Sequence, residues 1–196
     1  MSLAQPKRIL IIKLRHHGDV LLSTPVVDAL KTRFPDCEID MLVYAGTGQL
    51  IADNPQIAQI FTIDRNWKKL GVFKQLACEK NLFSKLKARD YDWAFNLSDQ
   101  WRAAVIAKLC ARCSVGFDCI KRDGFWWRFC HDFINHELDT SHHIVENQLN
   151  ILAPLIQPED VADAKVRLWV AQDARESMRQ KLREQGWNGE DYVLLH

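Results

Sequence analysis

The sequence predicts an α/β domain built on a doubly wound, Rossmann-like parallel sheet, and three observations carry that expectation. Near-continuous apolar runs such as Ile9 to Leu14 have the composition of strands covered on both faces. These runs alternate with stretches whose apolar residues recur at helical spacing. With 196 residues, 47% hydrophobic and 26% charged, the chain is long and apolar enough to bury a core, which excludes a disordered or fibrous protein.

Each element follows in order. The first strand is Arg8 to Leu14, and the polar stretch Arg15-His16-His17-Gly18-Asp19 breaks it. Val20-Leu21-Leu22, Val26-Val27 and Leu30 then recur at helical spacing, with Pro25 predicting a kink or an irregular first turn. Glu38 to Tyr44 reads as a second strand. Ala45 to Gly48 leads into a short helix ending near Asn54-Pro55, and Ile60 to Ile63 is a short strand. Phe73 to Ala88 reads as a helix, Asp92 to Leu97 as a strand, Gln100 to Arg112 as a helix and Val115 to Phe117 as a short strand. The rhythm changes after Asp118. Residues 121 to 136 are basic and aromatic, a helix follows from about Ser141 to Leu155, and Lys165 to Val170 has strand character. Asp173 to Gln185 predicts a helix with Ala174, Met178 and Leu182 on one face and Gly186 as its C-terminal cap. Tyr192 to His196 reads as one more buried strand. A core strand is an odd place to stop, so the expectation is a chain cut within a longer protein.

Composition narrows the function classes. Lys+Arg 26 against Asp+Glu 25 leaves a formal net charge of +1, which argues against a generic nucleic-acid binder. No run approaches the roughly 18 apolar residues of a membrane span. Met1 to Gln5 lacks the charged and apolar regions of a secretory signal, so the cytoplasm is the expected compartment. Six cysteines in a chain of this length are too sparse for a disulfide scaffold. The C-x-x-C pair Cys110 and Cys113, with Cys119, Cys130 and His131 beyond it, has zinc-ligand residue types. Cys110, however, falls in the apolar helical run 103–111, where buried small side chains are the plainer reading.

In a doubly wound domain the ligand site lies beyond the carboxyl ends of the strands. The turn after the first strand holds one glycine, Gly18, so it has neither the three-glycine dinucleotide fingerprint nor the Lys-Ser/Thr of a P-loop. It does hold Asp19 at a helix start. Two readings stand: a cap that complements free backbone donors, or a general base flanked by Arg15, His16 and His17, cations able to hold an anionic substrate. The second strand-end cluster, Asn96-Leu97-Ser98-Asp99-Gln100-Trp101-Arg102, suits a polyol whose hydroxyls need paired donors and acceptors. Its alternative is a helix cap by Ser98 or Asp99 with Trp101 in the core. Lys121, Arg122 and Arg128 interleave with Phe125, Trp126 and Trp127, either as a mobile flap that meets an anionic, amphiphilic partner at a membrane surface or as a loop whose aromatics fold back onto the core.

Lys13-Leu14-Arg15-His16-His17-Gly18-Asp19-Val20-Leu21-Leu22 together with Asn96-Leu97-Ser98-Asp99-Gln100-Trp101 resembles the lipopolysaccharide core heptosyltransferases. Val115-Gly116-Phe117-Asp118 and His143-Ile144-Val145-Glu146 agree with it, and within the family the motifs stand nearest the members that add the branching third heptose. The resemblance implies the GT-B fold, two Rossmann-like domains facing across a cleft, with this chain as the amino-terminal half. It implies an ADP-heptose donor, inversion at the anomeric centre and no bound metal or other cofactor. Asp19 matches the family's proposed base. Arg15, His16, His17, Gly18, Asp99, Gln100 and Arg102, with Lys121 and Arg122, would face the lipopolysaccharide inner-core acceptor. The strand end departs from the D-L-Q-G pattern of related members, having Asn-Leu-Ser-Asp-Gln instead.

On this resemblance residues 1–170 form the acceptor-binding domain, and 171–196 the linker helix and first strand of a nucleotide-sugar domain. ADP-heptose would then bind mainly outside the chain, and no nucleic-acid partner is expected. The working place would be the inner face of the inner membrane, in peripheral contact with it. Two rivals remain: a non-catalytic Rossmann-like module binding an anionic saccharide, and a GT-B transferase using another sugar nucleotide.

Overall fold

The structure, a computed structural model, describes residues 5–118, 124–135, 141–161 and 163–191. Six strands form one sheet: β1 (Arg8–Lys13), β2 (Glu38–Tyr44), β3 (Gln59–Ile63), β4 (Tyr91–Asn96), β5 (Ala111–Phe117) and β6 (Phe133–Asn135). Every neighbouring pair is parallel and the spatial order is β3-β2-β1-β4-β5-β6. The chain thus winds outward in one direction from β1 and then in the other from β4. That reversal opens a crevice at the carboxyl ends of β1 and β4.

The central strand explains the apolar run. Successive side chains of a strand point to opposite faces. Ile9 and Ile11 pack into one core layer with Ile39, Met41 and Val43, while Leu10 and Ile12 enter the other with Leu42 and Ala94. The first layer is closed by α2 (Thr24–Arg33) through Val26, Val27 and Leu30, and by Ile151 and Leu152 just after α6 (Ile144–Asn150). The second is closed by Leu82 and Leu86 of α3 (Val72–Ala88) and by Ala103, Ile106 and Ala107 of α4 (Trp101–Cys110). A short helix, α5 (Phe125–Phe129), joins that layer by seating Trp127 against Ala104.

Several expectations need correction. The helix expected across Pro25 is two helices, α1 (His17–Leu21) and α2, with Pro25 in the first turn of the second, where its missing N–H costs nothing. The helix expected to reach Arg112 stops at Cys110, because Ala111 already pairs with Tyr91 and Cys113 with Trp93 in the sheet. The basic-aromatic stretch supplies α5 and β6, neither of which periodicity marked. Lys165 to Val170 is no strand: the Lys165 and Arg167 amides donate to Asp28 and Thr24 side chains of α2, so no ladder is available to them.

The last described helix, α7 (Gln172–Glu184), forms as expected and ends on Gly186 at φ 92°. The Gly186 amide donates to Arg183 O and that of Trp187 to Leu182 O, the paired bonds of a left-handed glycine cap. None of its residues is buried. The strand expected over 192–196 lies outside the described residues.

Candidate functional site

The carboxyl ends of β1 and β4 are stitched together side chain to backbone. The Leu14 amide donates to Ser98 Oγ at 2.6 Å, and Gln100 Nε2 donates to Leu14 O at 2.8 Å. Tyr44 Oη, at the end of β2, donates to Gln100 Oε1 at 2.6 Å. Arg15 pairs with Asp99 at 3.0 Å. Gln100 therefore has both ends of its amide engaged within the protein and braces three strand ends.

Beside this brace lies a polar cavity of about 270 Å³, lined among others by Arg15, His16, Tyr44, Gln100 and Arg102. Arg65 and Lys68 complete its wall from the turn after β3, with the Arg65 guanidinium 4.1 Å over the Tyr44 ring. Arg102 pairs with Glu79 of α3. Four cations thus line one small cavity, two of them, Arg15 and Arg102, already paired with Asp99 and Glu79. Arg65 and Lys68 were missed in the sequence; the cluster Arg65-Asn66-Trp67-Lys68-Lys69 directly after a strand was the available signal.

Asp19 is half-buried in the first turn of α1. Asp19 is not the cap, since His16 is the N-cap residue and no side-chain hydrogen bond caps the helix, but it is the acidic residue of the first turn, where it complements the helix dipole. The N-cap of α4 is likewise Gln100, without a side-chain cap bond; Ser98 and Asp99 serve the β1–β4 brace, and Trp101 is partly exposed instead of core. His16, His17 and Gly18 are exposed. Gly18 has open space where a Cβ would stand, so packing does not demand glycine there.

Beneath this surface lies a residue the sequence reading passed over. Lys13 ends β1 with only 4% of its surface exposed and donates from Nζ to Leu97 O at 3.1 Å. Burial pulls its ammonium down to about 8, opposed by the carboxylates of Asp19 and Asp99 and assisted by Arg15. A buried lysine interacting with the candidate base is what a functional centre at this crevice would contain.

The β4 end is held from behind by His131. Its Nδ1 faces Trp127 O at 2.9 Å, leaving Nε2 to accept from Asn96 Nδ2 at 3.1 Å, while Asn96 Oδ1 accepts from the Ser98 amide. Burial lowers the imidazole's affinity for protons, in keeping with the neutral ring this chain of bonds needs. Gly116 makes room for it: a Cβ there would stand 2.4 Å from the imidazole.

Among the described residues the cysteines form no shared site. Cys110 and Cys113 belong to core layers on opposite faces of the sheet, and burial raises both thiols to about 11. Among the described residues no three His, Cys, Asp or Glu side chains are grouped as a metal site requires. Cys119, like the proposed acceptor residues Lys121 and Arg122, lies outside the described residues. The aromatic segment divides between its two readings: Trp127 folds into the core, while Phe125, Trp126 and Phe129 face outward.

The six-stranded doubly wound sheet with a basic cavity at its crevice defines a fold that many functions share, and the comparisons with known proteins give it a family. Residues 80–196 match the model of glycosyltransferase family 9 (heptosyltransferase), and the chain belongs to that family. It is 34% identical over 185 residues to lipopolysaccharide heptosyltransferase 3 of Escherichia coli K12, covering 93% of this chain and 51% of that protein. A second E. coli protein of the same name is 35% identical over 143 residues, 72% of this chain and 41% of that one. The chain spans about half the length of these curated relatives. Among solved structures, a family 9 glycosyltransferase from Veillonella parvula superposes with a TM-score of 0.77 at 21% identity, over 97% of this chain and 52% of the other. E. coli heptosyltransferase WaaC with ADP superposes at 0.65 with 19% identity, over 89% and 53%. Both likenesses bear on the fold.

Proposed function

We propose that this chain supplies the acceptor side and the general base of an inverting ADP-heptose:lipopolysaccharide core heptosyltransferase, with the branching third heptose as the favoured transfer. The observation that carries the reading is the cavity at the β1–β4 crevice lined by Arg15, Arg65, Lys68 and Arg102, with Asp19 near enough to Lys13 at the end of β1 to act on its charge, in a chain whose curated relatives are named for heptose transfer to lipopolysaccharide. In this reading Arg15, Arg65, Lys68 and Arg102 hold the phosphates or carboxylates of the core sugars. Asp19 takes the proton from the acceptor hydroxyl as its oxygen attacks the anomeric carbon. The new C–O bond forms on the face opposite the breaking bond to the ADP phosphate, which inverts the centre and releases ADP. Lys13 adds a buried positive charge beneath the site.

Residues 1–170 serve as the acceptor domain and 171–196 lead into the unit that binds ADP-heptose. The protein works in the cytoplasm at the inner face of the inner membrane, and transfer needs no metal. Asp19→Asn, in the transferase carrying both domains, is expected to lower heptose transfer at least about 10²-fold, the scale of a lost general base, while acceptor affinity changes little. Near-native turnover would sink the assignment.

A further inference from the structure

Helices α3, α4 and α5 lie side by side on one face of the sheet, and their outer surface is apolar where water would favour polar groups. Phe73 is 89% exposed at the start of α3, with Val72 and Leu76 beside it. On α4, Trp101, Val105 and Leu109 recur every fourth residue along the outer side. Phe125 and Trp126 of α5 are 74% and 68% exposed. A groove of about 560 Å³ runs between α3 and α4, lined by Leu76, Phe83, Trp101, Val105 and Leu109 among others.

The aromatic tip packs on itself. Phe125, Trp126 and Phe129 pack on one another with centroids 5.6 to 6.4 Å apart, and Trp127 links them to the groove through an edge contact with Trp101 at 5.6 Å. Contiguous exposed apolar surface of this kind marks a docking site.

Charge selects the occupant. α3 carries Lys74, Lys80, Lys85 and Lys87 against Glu79 alone. α4 adds Arg102 and Lys108, the latter paired with Asp132 beyond α5, and α5 adds Arg128, with no carboxylate on either helix. Glu79 is itself paired with Arg102. Since the whole chain has a formal net charge of only +1, positive charge is concentrated on this layer. A second copy of the same face would meet like charge. An anionic phospholipid surface answers both features: its phosphates take the Lys and Arg side chains, and its interfacial zone takes Phe and Trp.

We propose that the outer face of α3, α4 and α5 is a docking surface for an anionic phospholipid bilayer. Arg102 lines both the groove and the basic cavity. A bilayer on this face brings a lipid-anchored, anionic acceptor to the cavity mouth, and this consequence rests on the transferase reading above. The docking itself does not.

The test is vesicle co-sedimentation of this chain with phosphatidylcholine alone and with about 30% phosphatidylglycerol added, the anionic lipid supplying the charge the face requires. Binding is expected only to the anionic vesicles and is expected to fall at least tenfold by about 0.5 M salt, where screening is short-ranged. Trp126→Ser with Phe129→Ser should weaken partitioning about tenfold or more through lost interfacial burial. Lys74→Glu with Lys80→Glu should remove the preference for anionic lipid. Met178→Ser on α7 and Asp19→Asn should bind like the parent, so that loss of docking and loss of the heptosyl reading are separate results. The proposal is overturned if the chain ignores anionic vesicles, if it binds both vesicle types with the face variants unaffected, or if Phe73 and Phe129 instead drive concentration-dependent self-association.

Discussion

Lys13 shows what a single residue costs at this crevice. An ammonium with 4% exposure and one hydrogen bond, to Leu97 O, is held against desolvation, which is why its pKa falls from 10.5 to about 8. A depressed folded pKa means that this group's stability contribution is complete above 10.5 and is lost as pH falls through about 8. At pH 7 the buried charge is therefore a net burden. Lys13→Met is expected to be more stable than the parent at pH 7 by about 1–2 kcal/mol after the lost hydrogen bond is set against the gain, the gap closing as pH approaches 10.5. Urea unfolding at both pH values measures this; a variant less stable at pH 7 would mean that the ammonium is better satisfied than its surroundings suggest. A residue kept at such a cost points to use at the site. Its sequence neighbours concealed it, because within Arg8 to Leu14 a lysine reads as the solvated end of a strand. Asp19, by contrast, stood out in the turn, and the geometry of α1 shows that it is not the N-cap residue while leaving it the acidic group of the first turn.

At the scale of elements, the two ends of the strands have different tasks. The amino-terminal end is tied by a buried ionic cluster. Asp40, fully buried on β2, accepts from Arg89 Nε and from Tyr91 Oη, both at 2.7 Å, and Arg89 also reaches Glu38. Removing the cation strands a buried carboxylate, so Arg89→Met should destabilise by about 3–5 kcal/mol, and adding Asp40→Asn should recover part of the loss. Denaturant midpoints of the two single variants and the double variant read the coupling; additive losses would show the pair to be independent. The carboxyl-terminal end carries the site, through loops that braces such as Gln100 hold in place. Most strands and helices were legible because each buries a face whose periodicity the chain repeats. The failures share a cause: β6 is three residues long, α5 five, and 165–170 takes its hydrogen bonds from side chains of α2, so none of them has a period to read.

For the molecule as a whole, the decisive fact is the strand order. Adjacency of β1 and β4 puts Leu14 and Arg15 in contact with Ser98, Asp99 and Gln100, residues more than 80 positions away in the chain, and the turn after β3 closes the cavity with Arg65 and Lys68. On the proposed acceptor role of this cavity, Arg65→Ala with Lys68→Ala should weaken binding of a phosphorylated core oligosaccharide about tenfold or more and make the remaining binding less salt-dependent. Calorimetry at two ionic strengths tests it; unchanged affinity would place the acceptor elsewhere. The chain's local patterns determined by themselves that it folds as a doubly wound α/β domain with a carboxylate and cations at its first turn, since apolar periodicity and turn residues are properties of short stretches. Which strand ends meet, which lysine is buried at the end of β1, and which helices present a cationic, aromatic face were decided only in the tertiary structure. Burial, cavity shape and the summed field of distant charges arise from neighbours that no stretch of sequence contains.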